Sequence, residues 1–219
     1  MMLSMMDSFL DVEFLFTADE EVGLIGAKNI ELNIESTKVI NLDSEEEGAI
    51  YVACAGGVDF RAFRGFESVE ADGDFYEISI DGLPGGHSGV DIDKNIPNAI
   101  IELAKALRGI DAKVGYFEGG EKKNSIPVSA RAIVSVETEP KLDGFCVKKA
   151  EPMLVLAESD VFLDAVINSG HGPDGFDYEL GVVEKSLNTA KVALKDGKCD
   201  ILLSGRDRKS TRLNSSHLV

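Results

Sequence analysis

The chain reads as α/β: a short strand–loop–helix–strand piece of a larger mixed sheet, followed by an α+β two-layer sandwich. Two patterns predict this. Short apolar runs at Val12–Phe16 and Lys38–Leu42 flank a helical stretch that opens at Gly26. Beyond Gly57, segments that alternate apolar and polar residues take turns with segments of helical period.

Taken in order, the first piece is one αβ step, too short to bury a core of its own. Cys54-Ala55-Gly56-Gly57 punctuates the chain and sets the expected boundary between residues 1–57 and 58–206. Phe75–Ile80 alternates as a strand, and the glycine-rich loop Gly82–Gly89 follows it. Asn95 then fits a helix N-cap, Pro97 the first turn and Gly109 the stop, with Ile100, Leu103, Ala104 and Leu107 on one face. Ala130–Val136 alternates again, Ala130, Ala132 and Val134 falling on one side. A second helix starts at Ser159, with Val161, Phe162, Ala165 and Val166 apolar, and ends near Gly170. His171 reads as a turn residue. Val182–Leu194 and Asp200–Leu203 complete a mostly antiparallel sheet.

Composition narrows the function classes. With 39 acids against 22 bases and a net charge of −17, the surface repels phosphate backbones, which argues against nucleic-acid binding. The apolar fraction, 44%, is enough for a buried core. Three cysteines without a C-x-x-C pair point to a reducing compartment rather than a disulfide framework. No apolar run is long enough to cross a bilayer, and Asp7, Asp11 and Glu13 break up the apolar opening, so a cytoplasmic location is expected. From Asp207 onward the chain turns basic and polar without an apolar period. It resembles a translated sequencing adapter, so residues 207–219 are expected to be non-native and unstructured.

Two acidic segments end the two N-terminal apolar runs: Thr17-Ala18-Asp19-Glu20-Glu21-Val22-Gly23-Leu24 and Asn41-Leu42-Asp43-Ser44-Glu45-Glu46-Glu47-Gly48. Acids at strand ends either cap the next helix, face water, or converge as hard oxygen ligands on a divalent metal. Spacing alone leaves all three open. Further along stand Gly85-Gly86-His87-Ser88-Gly89-Val90-Asp91-Ile92, Lys123-Asn124-Ser125-Ile126-Pro127 and Val183-Glu184-Lys185-Ser186-Leu187-Asn188.

This ordered set, from about Val12 to Leu203, resembles the aminoacyl-histidine dipeptidases. These are cytosolic Xaa-His peptidases of the zinc metallopeptidase family that includes carnosinase and carboxypeptidase G. The resemblance implies a mixed-sheet catalytic domain with an inserted lid that dimerises, and a dipeptide substrate cut by a metal-activated water. It implies two Zn2+ per complete site, with Mn2+ or Co2+ as substitutes, and a homodimer formed through the lid. Residue by residue, it makes Glu20 the general base, Glu21 and Asp43 metal ligands, His87 the donor that steadies the oxyanion, and Asn124 a substrate-binding residue. Chemistry is consistent with that division, since a base beside a metal-bound water takes its proton while the metal lowers the water's pKa. Ser88 has no His/Asp partner at a recognisable spacing, so serine nucleophile chemistry is not expected.

The departures matter too. Zinc sites usually take about four ligands with histidine among them, and outside the adapter-like tail the chain has only His87 and His171. The family's His-x-Asp motif and bridging carboxylate would lie before Met1, and its last histidine ligand after Arg206. The chain therefore reads as an internal fragment, expected to be inactive alone. Rival readings are an N-acyl amino acid deacylase or carboxypeptidase of the same fold, and a non-catalytic dimerisation module.

Overall fold

A computed structural model describes residues 12–19, 24–40, 48, 55–179 and 181–207. The chain divides into two compact units between Cys54 and Ala55. No described helix is long and apolar enough to cross a membrane.

In the first unit, the regular element among the described residues is α1 (Ile25–Lys28). Leu24 precedes it in the left-handed region, at φ 60°. The Ile25 and Gly26 amides donate back to the carbonyls of Asp19 and Ala18, at 3.2 and 3.0 Å. A Cβ at residue 26 would lie 2.5 Å from the Ala18 carbonyl oxygen, so only glycine lets this turn close.

Neither expected N-terminal strand forms here. Val12–Phe16 carries no ladder, nor do Lys38, Val39 and Ile40; Asn41 and Leu42 lie outside the described residues. Phe16 is 78% exposed and Val39 86%. A strand needs a neighbour to pair with, and none of the described residues supplies one. A carboxylate joins the two segments instead. Glu13 accepts the amides of Glu35 and Ser36, at 3.3 and 2.7 Å, and the Ser36 hydroxyl. The Ser36 hydroxyl and then the Ser36 and Glu35 amides hold its carboxyl below the ordinary carboxylate range.

The second unit is built on one antiparallel sheet in the order β1-β10-β9-β4-β5-β3-β6, with β8 also pairing on β9. Its strands are β1 (Gly56–Gly65), β3 (Asp74–Ile80), β4 (Lys113–Gly119), β5 (Ala130–Val136), β6 (Cys146–Lys149), β8 (His171–Asp177), β9 (Val182–Lys195) and β10 (Lys198–Asp207). The short strands β2 (Ser68–Val69) and β7 (Val155–Leu156) pair separately. Helices α2 (Ala99–Gly109) and α3 (Ser159–Ile167) supply the second layer.

Period explains the packing. In α2, Ile100, Leu103, Ala104 and Leu107 are fully buried, as their shared face requires. They meet Ile78, Ala132, Val134, Phe117 and Leu194 from the sheet. Each such leucine or isoleucine contributes on the order of 1.5–3 kcal/mol through burial. Phe162 of α3 meets Phe117 edge to face at 5.6 Å, which locks the second helix onto β4. The Ser159 hydroxyl accepts the Val114 amide at 2.9 Å and donates to the Leu156 carbonyl at 2.8 Å, satisfying the buried start of α3.

Three local readings change. Asn98, not Asn95, caps α2: its side chain accepts the Ile100 amide at 3.0 Å. Asn95 sits at φ 54° and closes a 3-10 turn over Ile92–Lys94. His171 is no turn residue but opens β8. Asp207 ends β10 opposite Gly56, and the rest of the adapter-like segment lies outside the described residues.

Candidate functional site

The site grows from one end of the β3–β5 ladder, which closes at Ile80 opposite Ala130. Past that pair the two chains continue side by side as loops. Leu83 donates to Val128 at 3.2 Å, Ile126 to Gly86 at 2.9 Å and Ser88 to Asn124 at 2.9 Å. His87 bridges to Ser125 in the same ribbon. The fold thus brings the predicted donor His87 and the predicted substrate-binding Asn124, distant in sequence, onto adjacent backbones.

His87 is half-buried and its ring is held by backbone. Nδ1 accepts the amides of Gly89 and Val90, at 3.3 and 3.2 Å. Amides only donate, so in the neutral ring the proton lies on Nε2. The His87 amide in turn donates to Asp91 Oδ2 at 2.7 Å. Lys94 pairs with the other carboxylate oxygen at 2.6 Å, and this bond, followed by the His87 amide, holds the Asp91 carboxyl below the usual range.

Glycine lets side chains come close at two points. A Cβ on Gly86 would lie 2.8 Å from the Ile96 side chain and 2.9 Å from that of Asp91. At Gly89 a Cβ would collide with the Arg206 guanidinium. Arg206, in β10, therefore lies flat against the loop two residues from His87. Among the described residues Arg61, Arg64, Arg108 and Arg131 each pair with a carboxylate, whereas Arg206 makes no ion pair. Sequence reading missed it, because its interest comes only from what it packs against. The Ser88 hydroxyl is buried and has no hydrogen-bond partner among the described residues.

A buried polar group braces the ribbon from behind. Asn188 donates to the Ser125 carbonyl at 2.9 Å. Asn98 donates to the Thr189 carbonyl at 2.9 Å and to the Asn188 side-chain oxygen at 3.3 Å. His171 reaches the Ile96 carbonyl through Nε2 at 2.8 Å and Asn188 Oδ1 through Nδ1 at 3.2 Å.

Glu20, Glu21 and Asp43 lie outside the described residues. Among the described residues no group of three or more His, Cys, Asp or Glu is placed to hold a metal ion.

No family model matches the chain. It is 32% identical over 246 aligned positions to the cytosol non-specific dipeptidase of Escherichia coli strain K12, covering 93% of this chain and 50% of that protein. Its fold superposes on the crystal structure of aminoacylhistidine dipeptidase from Vibrio alginolyticus with a TM-score of 0.70, at 26% identity, over 92% of this chain and 49% of that one. The chain spans about half the length of each relative. In sequence and in fold, more than nine tenths of this chain is similar to dipeptidases.

Proposed function

We propose that the protein to which this chain belongs hydrolyses dipeptides of the Xaa-His kind, and that residues 58–206 are its lid. The observation that carries the reading is the shared loop. It holds a ring N–H donor, His87 Nε2, two residues from Gly89, on which the guanidinium of Arg206 lies. A dipeptide offers matching groups: a scissile carbonyl that becomes an oxyanion, and a terminal carboxylate a short span away. His87 donates to the oxygen as charge develops on it, and Arg206 anchors the carboxylate by a charge-assisted bond. Asn124 lines the same ribbon and contributes an amide to the substrate backbone.

Glu20 is the base, and Glu21 and Asp43 are the chain's own metal ligands, by their match to the family motifs. Zinc, when bound, supplies a Lewis acid and a water acidic enough to lose its proton near neutral pH. Glu21 and Asp43 would hold the metal, and Glu20 would serve as the general base and then as the acid toward the leaving amine. Homodimerisation through the lid and a cytoplasmic location complete the reading; similarity to a cytosol dipeptidase of Escherichia coli supports the latter.

The test is a dipeptide panel on the full-length protein loaded with zinc, followed by release of free histidine. Turnover of Xaa-His dipeptides and none of their C-terminal amides is expected. Equal turnover of the amides removes Arg206 from the scheme, and preference for N-acyl amino acids favours the deacylase instead.

A further inference from the structure

The turn from Gly86 to Asp91 is closed by bonds among its own residues. The His87 amide donates to Asp91 Oδ2 at 2.7 Å, and the Asp91 amide donates back to the His87 carbonyl at 2.9 Å. Inside that closed ring of bonds the His87 imidazole folds over its own chain, with Nδ1 against the amides of Gly89 and Val90. Those two contacts are long, at 3.3 and 3.2 Å, so neither fixes the ring alone. The short contact in the turn is the one to the Asp91 side-chain oxygen, at 2.7 Å, and a bond of that length constrains geometry more than the two long ones.

We infer that Asp91 is a positioning residue for His87: its carboxylate oxygen holds the turn that commits Nδ1 to backbone and leaves Nε2–H as the ring's single outward donor. The assignment rests on reading His87 as the donor in dipeptide hydrolysis. Two further features support it. Gly86 leaves room for the Asp91 side chain to enter the turn, since a Cβ there would lie 2.9 Å from Asp91 Cβ. Asp91 is only 24% exposed in its side chain, whereas its other partner, Lys94, is 62% exposed. The Asp91 carboxylate thus sits against the turn while its ion-pair partner reaches into solvent. What matters is an accepting oxygen at residue 91, not its charge.

Long-range 1H–15N correlation of the imidazole nitrogens tests this in the 219-residue chain, at about pH 8 where histidine is neutral. His87→Gln assigns the signals by their loss. The unaltered chain should show one tautomer at His87, Nε2 protonated and Nδ1 bare. In Asp91→Ala the two nitrogen shifts should move towards each other as tautomers interchange. Asp91→Asn, whose amide oxygen still accepts, should restore the single-tautomer pattern, and Lys94→Met should leave it unchanged. An unaltered pattern in Asp91→Ala overturns the assignment. So does its loss in Asp91→Asn.

A measurement without any variant covers the case in which Asp91→Ala does not fold. In the unaltered chain the His87 amide proton should shift with acid titration in step with the Asp91 carboxyl carbon. An amide shift that ignores that titration overturns the assignment. Should the tautomer pattern behave as expected while His87→Ala keeps full kcat, the donor reading fails and the positioning of the ring stands.

Discussion

Asn188 and Ser125 are joined by one hydrogen bond, amide Nδ2 to backbone carbonyl at 2.9 Å, that ties β9 to the loop ribbon carrying His87. Asn188 is 1% exposed, so its other end is equally constrained, and it accepts from Asn98 at 3.3 Å. Truncation would strand several buried partners at once. Asn188→Ala should therefore destabilise the chain by about 1–3 kcal/mol, the cost of leaving a buried polar group unpaired. Urea unfolding checks this. A change within about 0.5 kcal/mol, as at an ordinary surface site, would show that the group is not a brace.

Gly89→Ala separates packing from binding. The new methyl meets the end of a flexible Arg206 side chain, which can swing away. Stability should fall by less than about 1 kcal/mol. In the full-length protein, KM for free dipeptides should rise about 10–100-fold as a charged hydrogen bond is lost, with kcat nearly kept. Unchanged KM would mean that Arg206 does not meet the substrate carboxylate.

On the polar face of the sheet, Glu118 accepts the Tyr116 hydroxyl at 2.6 Å and Arg131 at 2.9 Å. The tyrosine bond first, then the arginine bond, lowers its pKa. A depressed folded pKa gives stability that is present above the unfolded value, about 4.3, and lost as pH falls through the folded one. Glu118→Gln should lower stability at neutral pH and flatten the curve through that acidic window, so that the two proteins converge as pH falls below the folded value. Because Glu118 is half exposed, at 52%, the effect should stay below about 1 kcal/mol. Thermal melts between pH 3 and 6 would reveal it, and parallel curves for the two proteins would count against the network.

The adjacent glutamates should part company in the full-length protein. Glu20→Gln keeps shape but removes a base, so zinc content should hold while kcat falls by ~10²–10⁴-fold. Glu21→Gln weakens a ligand, so zinc content should fall and added zinc should restore part of the rate. Metal analysis beside kinetics decides; the reverse pattern exchanges their roles.

What the sequence made legible follows from period and packing. Ile100, Leu103, Ala104 and Leu107 mark α2 because a face buried on two layers must repeat at helical spacing, and Ala130–Val136 marks β5 by its alternation. β1 left no such mark. As an edge strand exposed over nearly its whole length, it carries Phe60 and Phe63 beside Arg61 and Arg64 without a one-sided pattern. Val12–Phe16 shows the opposite error, an apolar run without a pairing neighbour among the described residues. Asn95 looked like a cap because Asn suits both a cap and a left-handed turn, and here the turn took it. For the site, the glycines around His87 announced a close backbone approach. That Asn124 lies on the next backbone and Arg206 against Gly89 is set by sheet register, which no local motif records.

His87→Ala in the full-length, zinc-loaded protein tests the central claim most directly. A donor that meets the substrate oxygen only as charge develops raises kcat and leaves ground-state binding alone. The expected result is a kcat lowered about 10²–10³-fold, with KM for Xaa-His dipeptides changed little and zinc content unchanged. A variant that keeps full kcat would contradict the account.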